Sequence, residues 1–183
     1  MDPGAIDWAS SIDPIDVLLG EHRTILQVLD EVERESRRLE ANAALRESFW
    51  EDLLHFADTF DAGLHHQKEE QLLFPALEGA GLSAGSGPTA VLRDEHLRAQ
   101  FWRKRIEAAL LQRDRSRLLA AAGSYLDLCR AHVLKENQIL FPLARRLVGP
   151  EELQRLGREF QRLAADQRLS HWIRHPYERA AGA

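Results

Sequence analysis

The sequence HHQKEEQLLFP at residues 65–75 returns as HVLKENQILFP at residues 132–142. Histidine, lysine, glutamate, glutamine, leucine, phenylalanine and proline recur at identical offsets in the two stretches. We interpret the stretches as two copies of one helix, because a self-similar segment of this kind indicates an internal repeat. Both copies contain a His-x-x-x-Glu pair, His65 with Glu69 and His132 with Glu136.

The duplication extends upstream of these pairs. Glu21-His22 lies before the first copy, and Glu95-His96 lies at a comparable position before the second. The chain is therefore predicted to consist of two helical hairpins, each with one histidine on its first helix and a His-x-x-x-Glu pair on its second.

Apolar residues at helical spacing predict helices over about 14–40, 44–78, 89–112 and 116–148, and a fifth over 151–169. Gly and Pro residues within 79–88 form the clearest break. No segment shows the alternation of a strand. The predicted fold is all-α: an antiparallel up-down four-helix bundle over 14–148, followed by a C-terminal extra helix and tail over 149–183.

Composition narrows the range of partners. The net charge is −5, and the 24 Lys and Arg residues are spread along the chain rather than clustered, which indicates no nucleic-acid partner. Cys129 is the only cysteine, so an internal disulfide is excluded. The N-terminus lacks the basic start and apolar run of a signal peptide, and no long apolar stretch occurs. We expect a cytoplasmic protein with no membrane span.

The four histidines and two glutamates of the repeat have the chemistry of metal ligands. Residues four apart on a helix share a face, and packed helices lie about 8 to 10 Å apart. Four imidazoles and two carboxylates can therefore meet, a donor set that suits iron, with manganese or zinc as alternatives. Alone, either motif is more often a core histidine or a helix-surface contact; the repetition favours a metal, because burying these groups without a cation is costly.

These motifs resemble the hemerythrin-like (HHE cation-binding) family. Its signature has a histidine in helix one, HHxKEExxLFP in helix two, EH in helix three, and HxxKE followed by FP in helix four. The resemblance covers residues 14–148 and implies a centre with two iron ions. It implies terminal ligands at His22, His65, His96 and His132, with Glu69 and Glu136 as bridging ligands. His22 and His65 would serve one ion, and His96 and His132 the other.

One position departs from the oxygen-carrying hemerythrins. Those proteins have a second histidine one turn after the first in helix three, where this chain has Gln100. The departure argues against reversible oxygen storage and favours reaction with oxygen, peroxide or nitric oxide at a carboxylate-bridged centre. The expected partner is thus a small diatomic or peroxide ligand, and the sequence leaves the identity of a protein partner open. The alternative is an iron- or oxygen-sensing module, or a metal-binding module, without turnover.

Several further residues near the repeat are candidates for a role at the site, and most of them have two possible interpretations. Tyr125, seven residues before His132, is either an additional ligand or a buried tyrosine whose hydroxyl bonds elsewhere. Asp58 and Asp61 share a helix face with His65 and either accept hydrogen bonds from ligand imidazoles or are solvated. Cys129 is predicted to be a small core residue.

The remaining histidines are not predicted to be metal ligands. His66 and Glu70 are also four apart, but their counterparts in the second copy are Val133 and Asn137, which cannot serve as comparable ligands. The repeat therefore favours His65 and Glu69. We expect solvent-facing or structural roles for His55, His171 and His175.

Overall fold

The computed structural model of the protein describes residues 12–166. All regular elements in this range are helical, which confirms the all-α prediction. None of these helices is long and apolar enough to cross a membrane. The predicted tail, with His171 and His175, lies outside the described residues.

The first helix, α1, spans Pro14–Glu40. The Asp13 side chain accepts a hydrogen bond of 2.8 Å from the backbone N–H of Ile15, and Pro14 occupies the first turn, where its missing N–H costs nothing. The buried face of α1 includes His22, between the core residues Leu18 and Ile25.

The second helix, α2, runs without interruption over residues 47–79. It changes type along its length, and its segments are Glu47–Phe56 (α), Ala57–His65 (π), His66–Lys68 (α), Glu69–Leu73 (π) and Phe74–Gly79 (α). Its predicted start at 44 is too early, because the preceding loop folds over the buried Glu35. The Glu35 carboxylate accepts hydrogen bonds from Arg38 and Arg46, and Asn42 turns the chain with φ 61°.

The remaining helices agree with the predicted bounds to within a few residues. Helix α3 spans Pro88–Leu111. Helix α4 runs over 115–147 as Arg115–Lys135 (α), Glu136–Leu140 (π) and Phe141–Leu147 (α). Helix α5 spans Pro150–Asp166 and packs against α1 and the second π segment of α2.

The duplicated sequence produces a duplicated distortion. A proline inside a helix lacks a donor and clashes with the carbonyl four residues back. In both copies a π turn lies immediately before the Phe-Pro pair: the Phe74 N–H donates to the Glu69 carbonyl, and the Phe141 N–H donates to the Glu136 carbonyl. Both glutamates of the repeat therefore begin a widened turn, a feature often found at functional sites.

The core consists of two apolar clusters with a polar layer between them. One cluster contains Ile25, Leu64 and Val133, and the other contains Leu18 and Leu73. The histidines of the repeat lie along the helices between these positions. Helix α5 contributes Leu156 and Phe160 to the second cluster.

Candidate metal centre

All six residues predicted as ligands are buried in the layer between the two clusters. Each is less than a tenth exposed, and both glutamates are fully buried: His22, His65, Glu69, His96, His132 and Glu136. They come from α1, α2, α3 and α4, as the repeat requires.

One group of ligand atoms is formed by His22, His65, Glu69 and Glu136. These atoms all lie within 4.8 Å of one another. The Nε2 atoms of His22 and His65 are 3.1 Å apart. Glu136 Oε2 is 3.1 Å from His22 Nε2, and Glu69 Oε1 is 3.5 Å from His65 Nε2.

A second group, also within 4.8 Å, is formed by His66, Glu69, His96 and His132. The Nε2 atoms of His96 and His132 are 3.2 Å apart. Glu69 Oε2 is 3.5 Å from His96 Nε2, and Glu136 Oε2 is 3.3 Å from His132 Nε2. Both glutamates therefore lie between the two histidine pairs.

The outer ring nitrogens of these four histidines are held by oxygen atoms. Each Nδ1 lies at hydrogen-bond distance from one side chain: His22 from Asn137 (2.7 Å), His65 from Glu21 (3.0 Å), His96 from Glu70 (2.5 Å) and His132 from Glu95 (3.1 Å). These oxygens can only accept, so each Nδ1 carries a proton, and in the neutral imidazole the Nε2 lone pair points inward.

Two of the outer carboxylates are themselves held by lysines in matching positions. Lys68 donates to Glu21, and Lys135 donates to Glu95, so each copy contains a Lys–Glu–His chain. The chains differ in exposure. The Lys68 side chain is 2% exposed and lies under the Phe160 ring of α5, whereas that of Lys135 is 39% exposed.

The sequence predicted the histidines of these chains as candidate ligands but did not predict the side chains that hold their outer nitrogens. In the sequence, Glu21 and Glu95 were noted only because each precedes a histidine, and Lys68 and Lys135 only because they belong to the repeat. The signal was their recurrence: two Glu-His pairs and two His-x-x-Lys-Glu segments place an acceptor and its cation at equivalent positions.

Both inner carboxylates lack a donor. None of the four oxygens of Glu69 and Glu136 has a hydrogen-bond partner, although imidazole nitrogens lie close by. Buried carboxylates without compensation are costly. The arrangement calls for positive charge at the centre of the layer.

The raised pKa values of two histidines also indicate that this layer favours positive charge. Burial alone lowers the pKa of His65, but Glu69, Glu21 and Glu136 outweigh it and raise the pKa to about 9. Burial also opposes the charged form of His132, yet Glu136 and Glu95 raise its pKa to about 10. Protons supply the positive charge in the metal-free protein, and they occupy the nitrogens that a metal ion would use.

The structure overturns the reason for setting His66 aside. Its ring stacks on that of His96 with centroids 3.7 Å apart, and its Nε2 is 3.2 Å from Asp61 Oδ1. Burial, together with the neighbouring imidazoles of His96 and His65, lowers the pKa of His66 well below its ordinary value. The comparison with Val133 failed because the first π segment, whose His66 N–H donates to the Asp61 carbonyl, has no counterpart in α4.

Glu70, set aside with His66, does have an equivalent in the second copy. Glu70 holds His96 and Asn137 holds His22, so the residue after each inner glutamate serves as an outer acceptor. The sequence comparison asked whether Asn137 could bind a metal, but the shared role is a hydrogen bond.

Tyr125 and the two aspartates have distinct environments. The buried Tyr125 hydroxyl donates to Asp61 Oδ2 at 3.4 Å, and burial raises the pKa of its phenol well above the ordinary range. This contact favours the hydrogen-bonded reading of Tyr125, while a ligand role stays a prediction. Asp61 is buried beside His66, whereas Asp58 is exposed and pairs with Arg103 at 2.5 Å. Cys129 is a buried core residue, as predicted.

Two cavities adjoin the layer. The smaller, of about 10 Å³, adjoins the second histidine pair, and its lining combines the apolar Ile25, Leu128 and Val133 with the polar Asp61, Glu95, His96 and His132. The larger, of about 210 Å³, lies between α2 and α3, and its lining includes Asp61, His66, Glu70, His96, Gln100 and Arg103.

Most of the chain, including all the residues of this layer, matches a known protein family. Residues 13–144 match the family model of the hemerythrin HHE cation binding domain. The chain belongs to this family. As a hemerythrin HHE domain it is a cation-binding protein, and the buried His and Glu layer is the place in the described residues that has the donors for this.

The domain has relatives in mycobacteria. It is 27% identical over 150 residues to the uncharacterized protein Rv1995 of Mycobacterium tuberculosis and to the uncharacterized protein Mb2018 of Mycobacterium bovis. Each match covers 79% of this chain and 58% of the relative, so the chain spans somewhat over half the length of these proteins. No solved structure matches the chain.

Proposed function

We propose that this hemerythrin HHE domain holds two iron ions in an antiparallel up-down four-helix bundle and binds or reacts with oxygen species, namely oxygen, peroxide or nitric oxide. One ion would be held by His22 and His65 and the other by His96 and His132. Glu69 and Glu136 would bridge them. When bound, the iron pair supplies electrons and open positions for such small molecules.

The observation that carries the proposal is the pair of close Nε2 contacts beside carboxylates without donors. The two contacts are 3.1 and 3.2 Å long. In each of these four rings the other nitrogen, Nδ1, is held by an outer oxygen, so Nε2 stays directed into the layer, where a metal ion can replace its proton. Glu69 belongs to both groups of ligand atoms, which supports a shared carboxylate between two ions.

The donor types are those of a site for iron or a similar divalent metal rather than for a thiolate-bound one. Imidazole nitrogen and carboxylate oxygen suit iron, manganese and zinc, and the described residues offer no thiolate at the layer apart from the buried Cys129. Burial raises the pKa of the Cys129 thiol, so it stays protonated and is a poor metal ligand.

The small internal cavity supports a small ligand. A volume of about 10 Å³ is close to that of one water-sized probe. Ile25, Leu128 and Val133 line one part of it and His96 and His132 another, so a small molecule in this cavity would lie beside the imidazoles of the second pair. The protein's own contribution is thus to orient the imidazoles and to exclude bulk water.

Optical spectra test this proposal. Protein purified without oxygen and loaded with Fe²⁺ should develop visible absorption on exposure to oxygen or peroxide, and a reductant should reverse the change. Glu69→Gln, which removes the carboxylate shared by both groups, should abolish the signal, whereas Glu40→Gln at the exposed end of α1 should not. An iron-loaded protein whose spectrum is indifferent to all three small molecules would contradict it.

A sensing role is the second candidate, and one contact favours it. Phe160 of α5 lies over Lys68, which holds Glu21 and through it the ligand His65. Metal binding at His65 would thereby stabilise the docking of α5. Hydrogen exchange of residues 150–166 that slows on iron loading, in a protein without peroxide turnover, would favour sensing over catalysis.

A further inference from the structure

We infer that small molecules reach the second histidine pair from the large cavity between α2 and α3, and that the His66 ring closes this route and limits what can pass. The inference rests on the proposed function, since it concerns how oxygen species would reach the ion held by His96 and His132. His66 would thereby select molecules by size without binding the ion itself.

The large and the small cavity share one wall. Asp61, His66, His96 and Ala99 line both the cavity of about 210 Å³ and the cavity of about 10 Å³. The large cavity reaches the surface, because exposed residues such as Leu97 also line it. A molecule that crosses the wall therefore passes from the surface to the side of the second histidine pair.

The other walls of the small cavity are closed by packing. Ile25, Leu128 and Val133 belong to the first apolar cluster, and each is less than a tenth exposed. Among the residues that line this cavity, His66 is the only one that is not buried, and its side chain is 11% exposed. Because close-packed side chains leave no space for a molecule to pass, the small cavity is reached through the shared wall.

Within this wall, His66 is the side chain that can move aside. His96 is fixed through its Nδ1 by Glu70, and Ala99 has only a methyl group, whereas the His66 ring borders a cavity large enough to receive it. The ring lies flat on that of His96, with centroids 3.7 Å apart and 16° between the planes, so it covers a face of His96. Rotation of His66 about its side-chain bonds would uncover this face and open the wall.

Asp61 holds the His66 ring in the closed position. Asp61 Oδ1 is 3.2 Å from His66 Nε2, and the Tyr125 hydroxyl donates to Oδ2 at 3.4 Å. A contact of this kind contributes little net free energy, so it breaks and re-forms readily. Opening is thus a side-chain movement that admits small molecules while the helices stay in place.

Nitric oxide binding to the iron-loaded ferrous protein, followed by stopped-flow absorption, tests the route. His66→Ala removes the ring and should raise the association and dissociation rates of nitric oxide at least about 10-fold while its equilibrium affinity and the iron content stay as in wild type. If His66 bound the ion, the iron content or the affinity would change instead.

Two further variants probe the outer side of the wall. Gln100→Trp adds bulk at an exposed position of the large cavity, so it should slow both rates, and it tests the route even if His66→Ala does not fold. Leu97→Ala is the matched control, because Leu97 lines the large cavity but does not belong to the shared wall. It should bind nitric oxide at the wild-type rates.

Cys129 provides a readout that needs no metal. It lines the small cavity and is the only cysteine of the chain. In metal-free His66→Ala, labelling of Cys129 by methyl methanethiosulfonate should be at least about 10-fold faster than in wild type, whereas labelling by a bulky aromatic disulfide should not change. Mass spectrometry measures both. An equal gain for the two reagents would show that the variant loosens the whole bundle, and it would overturn the inference.

Wild-type rates of nitric oxide binding in His66→Ala and Gln100→Trp would also overturn the inference, and they would leave the proposed function intact. A wild-type protein that binds no iron would instead overturn the proposed function. The labelling of Cys129 would still decide whether His66 closes the route.

Discussion

The ammonium group of Lys68 lies 5.6 Å from the centroid of the Phe160 ring, so α5 covers the Lys–Glu–His chain that ends at His65. The equivalent lysine of the second copy, Lys135, has no such cover among the described residues, and its side chain is 39% exposed. The duplication is thus asymmetric at its periphery, and the asymmetry comes from a helix that lies outside the repeat.

Removing the Phe160 ring should weaken binding of the ion proposed at His22 and His65 more than binding of the ion proposed at His96 and His132. Phe160→Ala should lower the free energy of unfolding by about 3 to 5 kcal/mol, because Phe160 is only 1% exposed. Solvent would reach Lys68 and Glu21, and the affinity of the His22 and His65 group for Fe²⁺ should fall. Denaturant unfolding and iron titration measure the two effects.

Leu39→Ala is the matched control for that prediction. Leu39 is fully buried, and residues 22 and 39 are about 25 Å apart along α1 at the helical rise. It should cost about 2 to 5 kcal/mol while leaving iron affinity as it was. Equal losses of iron affinity in both variants would show that α5 acts only through overall stability.

The two Lys–Glu–His chains should each tune metal affinity. Glu21→Gln and Glu95→Gln keep the size of the side chain but weaken the acceptor on Nδ1 of His65 and His132. We expect iron affinity to fall by about 10- to 100-fold in each case. Isothermal titration with Fe²⁺ under anaerobic conditions measures this, with the exposed Glu40→Gln as control. Wild-type affinity in both variants would show that these carboxylates do not orient the ligands.

Protons and metal ions should compete for the layer. In the metal-free protein the pKa of His65 is raised to about 9 and that of His132 to about 10, from an ordinary value of 6.5. Their contribution to stability is fully present below about pH 6.5 and is lost as pH rises through 9 to 10. Metal binding needs neutral imidazoles, so the affinity for iron should rise over the same window.

Melting temperatures measured from pH 6 to pH 10, with and without a saturating divalent ion, check this. The metal-free melting temperature should fall across the window while the increment caused by metal grows. Since ferrous hydroxide precipitates at the alkaline end, Zn²⁺ with a competing chelator is the practical probe. A metal-induced increment that shrinks with rising pH would contradict the assignment of His65 and His132 as shared sites for protons and metal.

The visible spectrum of a Tyr125 variant distinguishes between a hydrogen-bonded tyrosine and an iron ligand. Its hydroxyl contacts Asp61, so Tyr125→Phe should remove one hydrogen bond, cost about 1 kcal/mol and leave the visible spectrum of the iron-loaded protein unchanged. If the phenolate instead bound iron, the wild-type protein would show a phenolate-to-iron band that the variant lacks.

Much of the fold and the site follows from the repeat. The convergence of the six proposed ligand residues could be predicted because a histidine and a glutamate four apart remain neighbours on α2 and α4 despite the π turns. The start of α1 at Pro14 could be predicted because proline in the first turn is a local signal that packing does not override.

His66 could not be placed in this way. Helical periodicity assumes 3.6 residues per turn, and the Ala57–His65 segment departs from it in one copy only. Aligning the copies thus compared His66 with Val133, which lies in an ordinary α-helical turn. The start of α2 was missed because Arg46 donates to Glu35 of α1 and Arg38 donates to the Ala44 carbonyl. These contacts hold residues 41–46 as a loop, and helical periodicity does not reveal them.

The number of iron ions bound per chain tests the central claim most directly. Metal-free protein titrated anaerobically with Fe²⁺ should bind two ions per chain, by elemental analysis after removal of free iron, with a rise in melting temperature that follows the occupancy. A folded chain that retains no iron, with a melting temperature unchanged by added Fe²⁺, would contradict the claim.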